Sequence, residues 1–256
     1  MTKPIFSNYV HGYSERETER LYDQAGSVQH LIHHDLCYPP DSKVLEAGCG
    51  VGAQTVTLSK NSPEAHFYAV DWSGKSLELA RETVISQGIT NVEFCEANLF
   101  ELPFEPSHFD HLFICHLLEH QVKPELGLKA LGKHLKPGGS VTVFEGDHGS
   151  CYFNPPSEDA QMAWNCLIEV QRRLGANSLI GRELFPLLTD AGFARVQIEP
   201  KIVYIDQSRP ELMESFVHKT IIPMVEGVKD QALEMDLIDA ASWRSGISDL
   251  HRIRHS

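Results

Sequence analysis

The sequence predicts a doubly wound α/β fold: a mostly parallel sheet with helices on both faces and a helical cap. Three observations carry that expectation. Short apolar runs alternate with amphipathic helical segments between residues 43 and 144, the rhythm of consecutive βαβ units. The apolar pair Val44-Leu45 leads into Gly48-Cys-Gly-Val-Gly52, where glycines let the backbone turn sharply and approach a ligand closely. The next apolar run, His66-Phe-Tyr-Ala-Val, closes on an acid, Asp71.

In chain order, residues 14–36 come first. Leu21, Ala25, Val28, Leu31 and Ile32 share one helical face. Ser14 with Glu17 forms a capping box at the start, and Pro39-Pro40 ends the segment. Strands are expected over 43–47, 66–70, 92–96, 109–115 and 140–144, and helices over 53–60, 74–87 and 124–135. Residues 149–180 interrupt the alternation with a turn at Tyr152-Phe-Asn-Pro-Pro156 and an amphipathic helix over 157–174. A helix over 181–191 capped by Gly192, a sixth strand over 193–205, and helices over 210–247 broken at Pro223 and Gly227 complete the expectation. No β-branched or aromatic run follows Leu250. The whole reads as one domain over 1–256. It comprises an N-terminal helical lid (1–40), a core (41–148), a cap insertion (149–180) and a C-terminal part (181–256).

Composition narrows the function classes. Of 256 residues, 35 are Asp or Glu and 22 are Lys or Arg, a net charge of −13. Such a surface disfavours sequence-independent nucleic-acid binding, which needs a basic track along the phosphates. The six cysteines are scattered without a Cys-x-x-Cys pair, which suggests neither structural zinc nor a disulfide framework. The N-terminal stretch lacks the apolar run of a signal peptide, and no window has the ~20 apolar residues that span a bilayer. A cytoplasmic location is the expectation.

Strand, glycine turn, helix, strand and acid together describe a nucleoside site, because a carboxylate accepts hydrogen bonds from both ribose hydroxyls. A dinucleotide site would space its glycines Gly-x-Gly-x-x-Gly for a pyrophosphate. Here the spacing is Gly48-x-Gly50-x-Gly52, and Glu46 stands two residues before the first glycine. That acid repels a pyrophosphate and attracts a cationic amino-acid end or a sulfonium. Glu-x-Gly-x-Gly-x-Gly resembles the first motif of class I S-adenosylmethionine-dependent methyltransferases. The likeness continues at Asp71, at Asn98 in Glu96-Ala-Asn-Leu-Phe-Glu-Leu-Pro-Phe104, and at Phe109-Asp-His-Leu-Phe-Ile-Cys-His-Leu-Leu-Glu-His120. It extends to Leu135-Lys-Pro-Gly-Gly-Ser-Val-Thr-Val-Phe-Glu145 and covers roughly residues 40–200. The branch it looks most like contains the small-molecule methyltransferases, including ubiquinone and menaquinone enzymes. The family usually ends on a seventh, antiparallel strand; with no such run after Leu250, either that strand is missing or the chain has been shortened.

The resemblance implies S-adenosylmethionine as cofactor and assigns Glu46, Gly48, Gly50, Gly52 and Asp71 to it. Trp72 either packs on adenosine or covers the sheet edge. Asn98 stands where the family usually carries Asp for the adenine amine, and its carbonyl can accept from that amine. The bland alternative for Asn98 is a turn after a strand. Leu99 then offers a backbone N–H. His116 falls beside the methionine end and the substrate wall, while Glu119-His120 reads as a solvated helix start. Tyr13 and Arg16 either meet the methionine carboxylate, Arg16 by a bidentate fork, or form an ordinary helix entry.

Histidine suits proton transfer near neutrality, which makes His148 and His116 the catalytic candidates among 14 histidines. Asp147 and His148 resemble half a metal site, but further ligands are not evident, and no metal is expected. Methyl transfer requires alignment and water exclusion more than a fixed catalytic group. The expected acceptor is a small organic molecule, with no nucleic-acid partner. The lid around Tyr13 and Arg16 and the insertion around 152–164 are expected to enclose it. The rivals are a noncatalytic S-adenosylmethionine-binding module, a nicotinamide-dependent oxidoreductase and an aminopropyltransferase. Glu46 and the glycine spacing oppose the oxidoreductase; no organised polyamine-binding acids support the aminopropyltransferase.

Overall fold

The computed structural model describes residues 15–252. The proposed cap Ser14 and the candidate Tyr13 lie outside them, as does the side chain of Arg16. The chain divides into two compact units. One comprises Gln29–Gly146 and Ile180–Pro200; the other comprises the segment up to Val28, Asp147–Leu179 and the segment from Lys201.

The first unit holds the sheet. Its strands are β1 (Lys43–Ala47), β2 (His66–Asp71), β3 (Val92–Glu96), β4 (Phe109–Cys115) and β5 (Leu135–Phe144). They lie in the order β3-β2-β1-β4-β5, and every adjacent pair is parallel. The central strands explain themselves: Val44, Leu45, Leu112, Phe113 and Ile114 are wholly buried. A parallel strand covered on both faces must be apolar on both, which gives continuous apolar runs rather than alternation. Burying each such side chain contributes roughly 1.5–3 kcal/mol. The order of the strands reverses between β1 and β4, so the carboxyl ends of these two flank the crevice where ligands bind in such sheets.

Helices α2 (Thr55–Asn61), α3 (Gly74–Ser86) and α4 (Pro124–Gly132) connect the strands. Ser73 caps α3, its hydroxyl accepting from the Ser76 amide, and Pro124 stands at the first turn of α4, where a missing N–H does no harm. β5 begins five residues earlier than expected. Leu135 pairs with Phe109, and the register then jumps to His111↔Ser140, leaving Lys136-Pro-Gly-Gly139 as a bulge. Gly138 sits there at φ +82°, and a β-carbon on Gly139 would lie 2.6 Å from the Asp110 carbonyl oxygen. After a one-turn helix at Ile180–Glu183 comes α6 (Leu184–Asp190). Gly192 terminates it at φ +98°, with the Phe193 amide reaching back to the Leu188 carbonyl.

The expected sixth strand over 193–205 is not formed; among the described residues the sheet has five strands. Arg195 adopts φ +56°, which breaks a ladder, and Pro200 has no N–H to donate. The apolar residues that suggested the strand, Ile198, Ile202 and Tyr204, are exposed.

The second unit is helical. It contains α5 (Glu158–Arg173), α7 (Pro210–Leu212), a π-helical stretch (Met213–Ile221), α8 (Ile222–Glu226), α9 (Lys229–Glu234) and α10 (Ala240–Arg252). Ser157 caps α5 by accepting from the Ala160 amide at 3.1 Å, while its own hydroxyl donates to Asp249 at 2.5 Å. The core joins Trp164, Leu167 and Val170 to Ile222, Val225, Val228, Trp243 and Leu250. Gly246 lets α10 approach α5 closely, since a β-carbon there would collide with the Asp159 carbonyl. The chain stays helical through Pro223 but breaks at Gly227 as expected. Within the π-helical stretch the Thr220 hydroxyl donates to the Ser215 carbonyl at 3.0 Å. Helix α1 (Glu15–His33) buries Ala25, Val28 and Ile32. Among the described residues, no helix is long and apolar enough to cross a membrane.

Candidate functional site

The turn after β1 is built around three glycines with positive φ: Gly48 at +74°, Gly50 at +53° and Gly52 at +78°. Each is needed for a different reason. A β-carbon on Gly48 would lie 2.7 Å from Leu117 Cδ1, and one on Gly52 would lie 2.9 Å from the Ala80 β-carbon in α3. On Gly50 it would meet nothing within 4 Å among the described residues. Two glycines thus serve packing, and the middle one faces a side left open by the described residues. The amides of Gly48 and Cys49 both donate to the Val70 carbonyl, at 2.8 and 3.0 Å, tying the turn to the end of β2.

Asp71 completes that corner. Its carboxylate accepts from the Gly50 amide at 2.9 Å and from the Ser73 amide at 2.9 Å. Burial raises its pKa, and the amides of Ser73, Gly50 and Trp72 oppose that rise. Each carboxylate oxygen has two lone-pair sites, so capacity for a ribose diol remains. Trp72 beside it is 58% exposed, a flat apolar face available to a purine. Asn98 is exposed, and its side-chain carbonyl accepts from the Phe100 amide at 3.1 Å, the local turn that was its bland alternative; Leu99 behind it is buried.

Glu46 is buried beneath the turn. Thr55 donates to it at 2.7 Å. Burial pushes its carboxyl up to about 8, the Thr55 hydroxyl counteracting and the charge of Asp71 adding. An unliganded Glu46 is therefore largely neutral at pH 7, and an arriving ammonium group would favour its ionised form.

His116 stands just past β4 in a left-handed conformation, φ +50°, with its amide donating to the Phe144 carbonyl at 2.9 Å. Its Nδ1 lies 3.8 Å from Glu119 Oε1. The Glu119-His120 pair is not a solvated helix start. Glu119 is buried, with His120 Nε2 at 3.6 Å, because the one-turn helix Leu118–His120 folds back over the strand ends. His116, Glu119 and Glu145 each place a ligand-capable atom within 4.8 Å of the others.

His148 belongs to the helical unit. Its carbonyl accepts from the Trp164 indole at 2.7 Å, and the two rings lie 5.6 Å apart. Asp147, which with His148 resembled half a metal site in the sequence, caps the short turn His148–Ser150, accepting from the Gly149 amide and the Ser150 hydroxyl.

Sequence reasoning singled out Glu145 only as part of the cluster Glu145-Gly-Asp-His148 after the fifth strand, and it missed Thr55, Leu117 and also His33, which meets Gln54 at 2.6 Å and stacks on Phe113. Their contacts join residues 9 to 28 positions apart or more, and no local pattern signals them.

Residues 44–139 match the model of a methyltransferase domain. With its ordered turn, acid and strand ends, this stretch is similar to the class I S-adenosylmethionine-dependent methyltransferases. A demethylmenaquinone methyltransferase of Staphylococcus aureus is 29% identical over 142 residues, 55% of this chain and 58% of that protein. The chain spans between 25% and 58% of the length of the first curated relatives it matches. Phosphoethanolamine N-methyltransferase 2 of Haemonchus contortus, solved with S-adenosyl-L-methionine, shares the fold at TM-score 0.57 and 17% identity, covering 92% of this chain and 52% of that one. The [4+2]-cyclase SpnF does so at TM-score 0.50 and 15% identity, over 99% of this chain and 84% of that one. The residues of this turn fit S-adenosylmethionine: Gly50 leaves the approach open among the described residues, Asp71 keeps acceptor capacity, and Trp72 presents an aromatic face.

Proposed function

We propose that this chain moves a methyl group from S-adenosylmethionine to a small organic acceptor. The observation that carries the reading is the open face over Gly50 beside the Asp71 carboxylate. Asp71 takes the ribose hydroxyls, Trp72 and the Leu99 backbone take the adenine with Asn98 at its edge, and Glu46 takes the ammonium end. His116 lines the methionine side, and Arg16 with Tyr13 contributes from the N-terminal segment. When bound, the cofactor supplies an electrophilic methyl on a sulfonium. The chain's own part is to align the acceptor, keep water out and, for a hydroxyl acceptor, take up its proton. His148 is proposed for that proton.

A net charge of −13 supports a small acceptor over nucleic acid, and the relative named for demethylmenaquinone supports the quinone-like class. Labelled methyl transfer tests this against a panel of hydroxylated aromatics and quinols alongside RNA and DNA. Transfer to a panel member supports the reading. Tight, salt-sensitive nucleic-acid binding with methylation of that polymer overturns it. The alternative is a noncatalytic S-adenosylmethionine-binding module, since a fold of this kind does not fix the reaction. Cofactor binding without transfer to any class of acceptor would favour it.

A further inference from the structure

Glu145 lies immediately beyond β5, and no part of the proposed reaction uses it. Its Oε1 accepts two backbone hydrogen bonds, from the Leu117 amide at 2.9 Å and the Leu118 amide at 2.7 Å. Its Oε2 is fully buried and has no hydrogen-bond partner among the described residues. The two amides belong to the turn that follows His116, the residue held at φ +50°. A non-glycine residue in that region is strained by roughly 1–2 kcal/mol, and such strain persists only where the surroundings impose it. The paired bonds to Glu145, with the His116 amide on Phe144, supply that constraint.

The consequence reaches the glycine turn. Leu117, whose amide Glu145 holds, presses its side chain against Gly48, so closely that a β-carbon there would lie 2.7 Å from Leu117 Cδ1. Gly48 is two residues from Gly50, whose outward face is open. A continuous chain of contacts therefore runs from the end of β5, through the turn after β4, to the floor of the turn after β1.

We propose that Glu145 is a positioning residue for the cofactor, clamping the Leu117 and Leu118 amides so that the Leu117 side chain fixes the height of the glycine turn under its ligand. The inference rests on the assignment of that turn to S-adenosylmethionine. It asks nothing of the acceptor. Burial, reinforced by the neighbouring Glu119 carboxylate, pushes the Glu145 carboxyl above the usual carboxylate range. Both amides bond to a single oxygen, so glutamine, which keeps that carbonyl acceptor, is its faithful replacement.

The experiment is a set of calorimetric titrations of the full chain with S-adenosylhomocysteine at pH 7, each variant also being followed by thermal unfolding. Glu145→Gln should bind like the wild type. Glu145→Ala and Leu117→Ala should each weaken binding about tenfold, the loss of one net interaction of about 1.4 kcal/mol. The double variant should be no weaker than about tenfold, because both substitutions break one chain of contacts. A double variant weakened about a hundredfold, with additive losses, overturns the clamp. So does unchanged affinity in Glu145→Ala with only a lowered melting temperature, which is a purely structural role. If Glu145→Ala does not fold, Leu117→Ala and Glu145→Gln decide alone: wild-type affinity in the first, or a tenfold loss in the second, overturns the proposal. A wild-type chain that binds no S-adenosylhomocysteine defeats the cofactor assignment itself, a result distinct from any of these.

Discussion

Replacing Gly50 and Gly52 in turn by alanine separates ligand approach from packing. Both glycines have positive φ, +53° and +78°, so either alanine meets the left-handed penalty of roughly 1–2 kcal/mol. Removing a glycine also restricts the unfolded chain, which returns about 0.4–1 kcal/mol. For Gly50→Ala nothing further is added, since its β-carbon would meet no atom within 4 Å. The net loss of stability is about 1 kcal/mol. For Gly52→Ala the new β-carbon lies 2.9 Å from the Ala80 β-carbon and 3.1 Å from its α-carbon. These belong to the backbone and stub of α3 and cannot swing aside, and overpacking of this kind adds about 1–3 kcal/mol. Gly52→Ala should therefore cost about 2–4 kcal/mol in urea denaturation. Binding should rank the other way. Gly50→Ala places a methyl group in the open approach and should weaken S-adenosylhomocysteine at least about tenfold by calorimetry, while staying folded. Wild-type affinity in Gly50→Ala would refute the reasoning, as would a stability loss equal to that of Gly52→Ala.

Three further outcomes follow from groups away from that face. Glu46, raised from 4.5 to about 8, lends the folded state stability that is fully present below about pH 4.5 and lost as pH rises through 8. Urea midpoints should fall across that window, and Glu46→Gln should flatten part of the fall; a wild-type profile in the variant would contradict the burial of a neutral acid. Because an ammonium group favours the ionised form, cofactor binding at pH 7 should also release a proton from Glu46, read as a buffer-dependent heat that vanishes in Glu46→Gln. In the helical unit, Ser157→Ala removes the cap of α5 and the partner of Asp249 and should destabilise the chain by about 1 kcal/mol, measured by thermal unfolding; no change would mean the cap is dispensable.

How much of this was legible in the sequence differs by element. The central strands were, because Val44-Leu45 and Leu112-Phe-Ile114 are buried on both faces and must be apolar throughout. The glycine turn and Asp71 were legible because each directly follows or closes an apolar strand run within one strand–helix–strand unit. The sixth strand misled: Val196 and Ile198 alternate as a strand would, but Arg195 in the left-handed region and Pro200 decide against a ladder. Alternation reports a face that could be buried, not a partner to pair with. The strand-end acids were misjudged for a related reason. Glu119 looked solvated because its neighbours are polar or mixed, whereas its burial comes from the turn after β4 folding beside Glu145, 26 residues later. Thr55, a small polar residue in a helix, gave no sign that it would satisfy Glu46. Apolar periodicity is a local signal, and the satisfaction of buried polar groups is a long-range one.

The central claim is that the turn Gly48–Gly52 and Asp71 hold an S-adenosyl ligand, and calorimetric titration of wild type and Asp71→Ala with S-adenosylhomocysteine tests it most directly. The account predicts saturable one-to-one binding by the wild type and a loss of roughly 1.5–3 kcal/mol in the variant, as for hydrogen bonds to a charged group. Equal affinity in the two proteins, or no binding by the wild type, would contradict it.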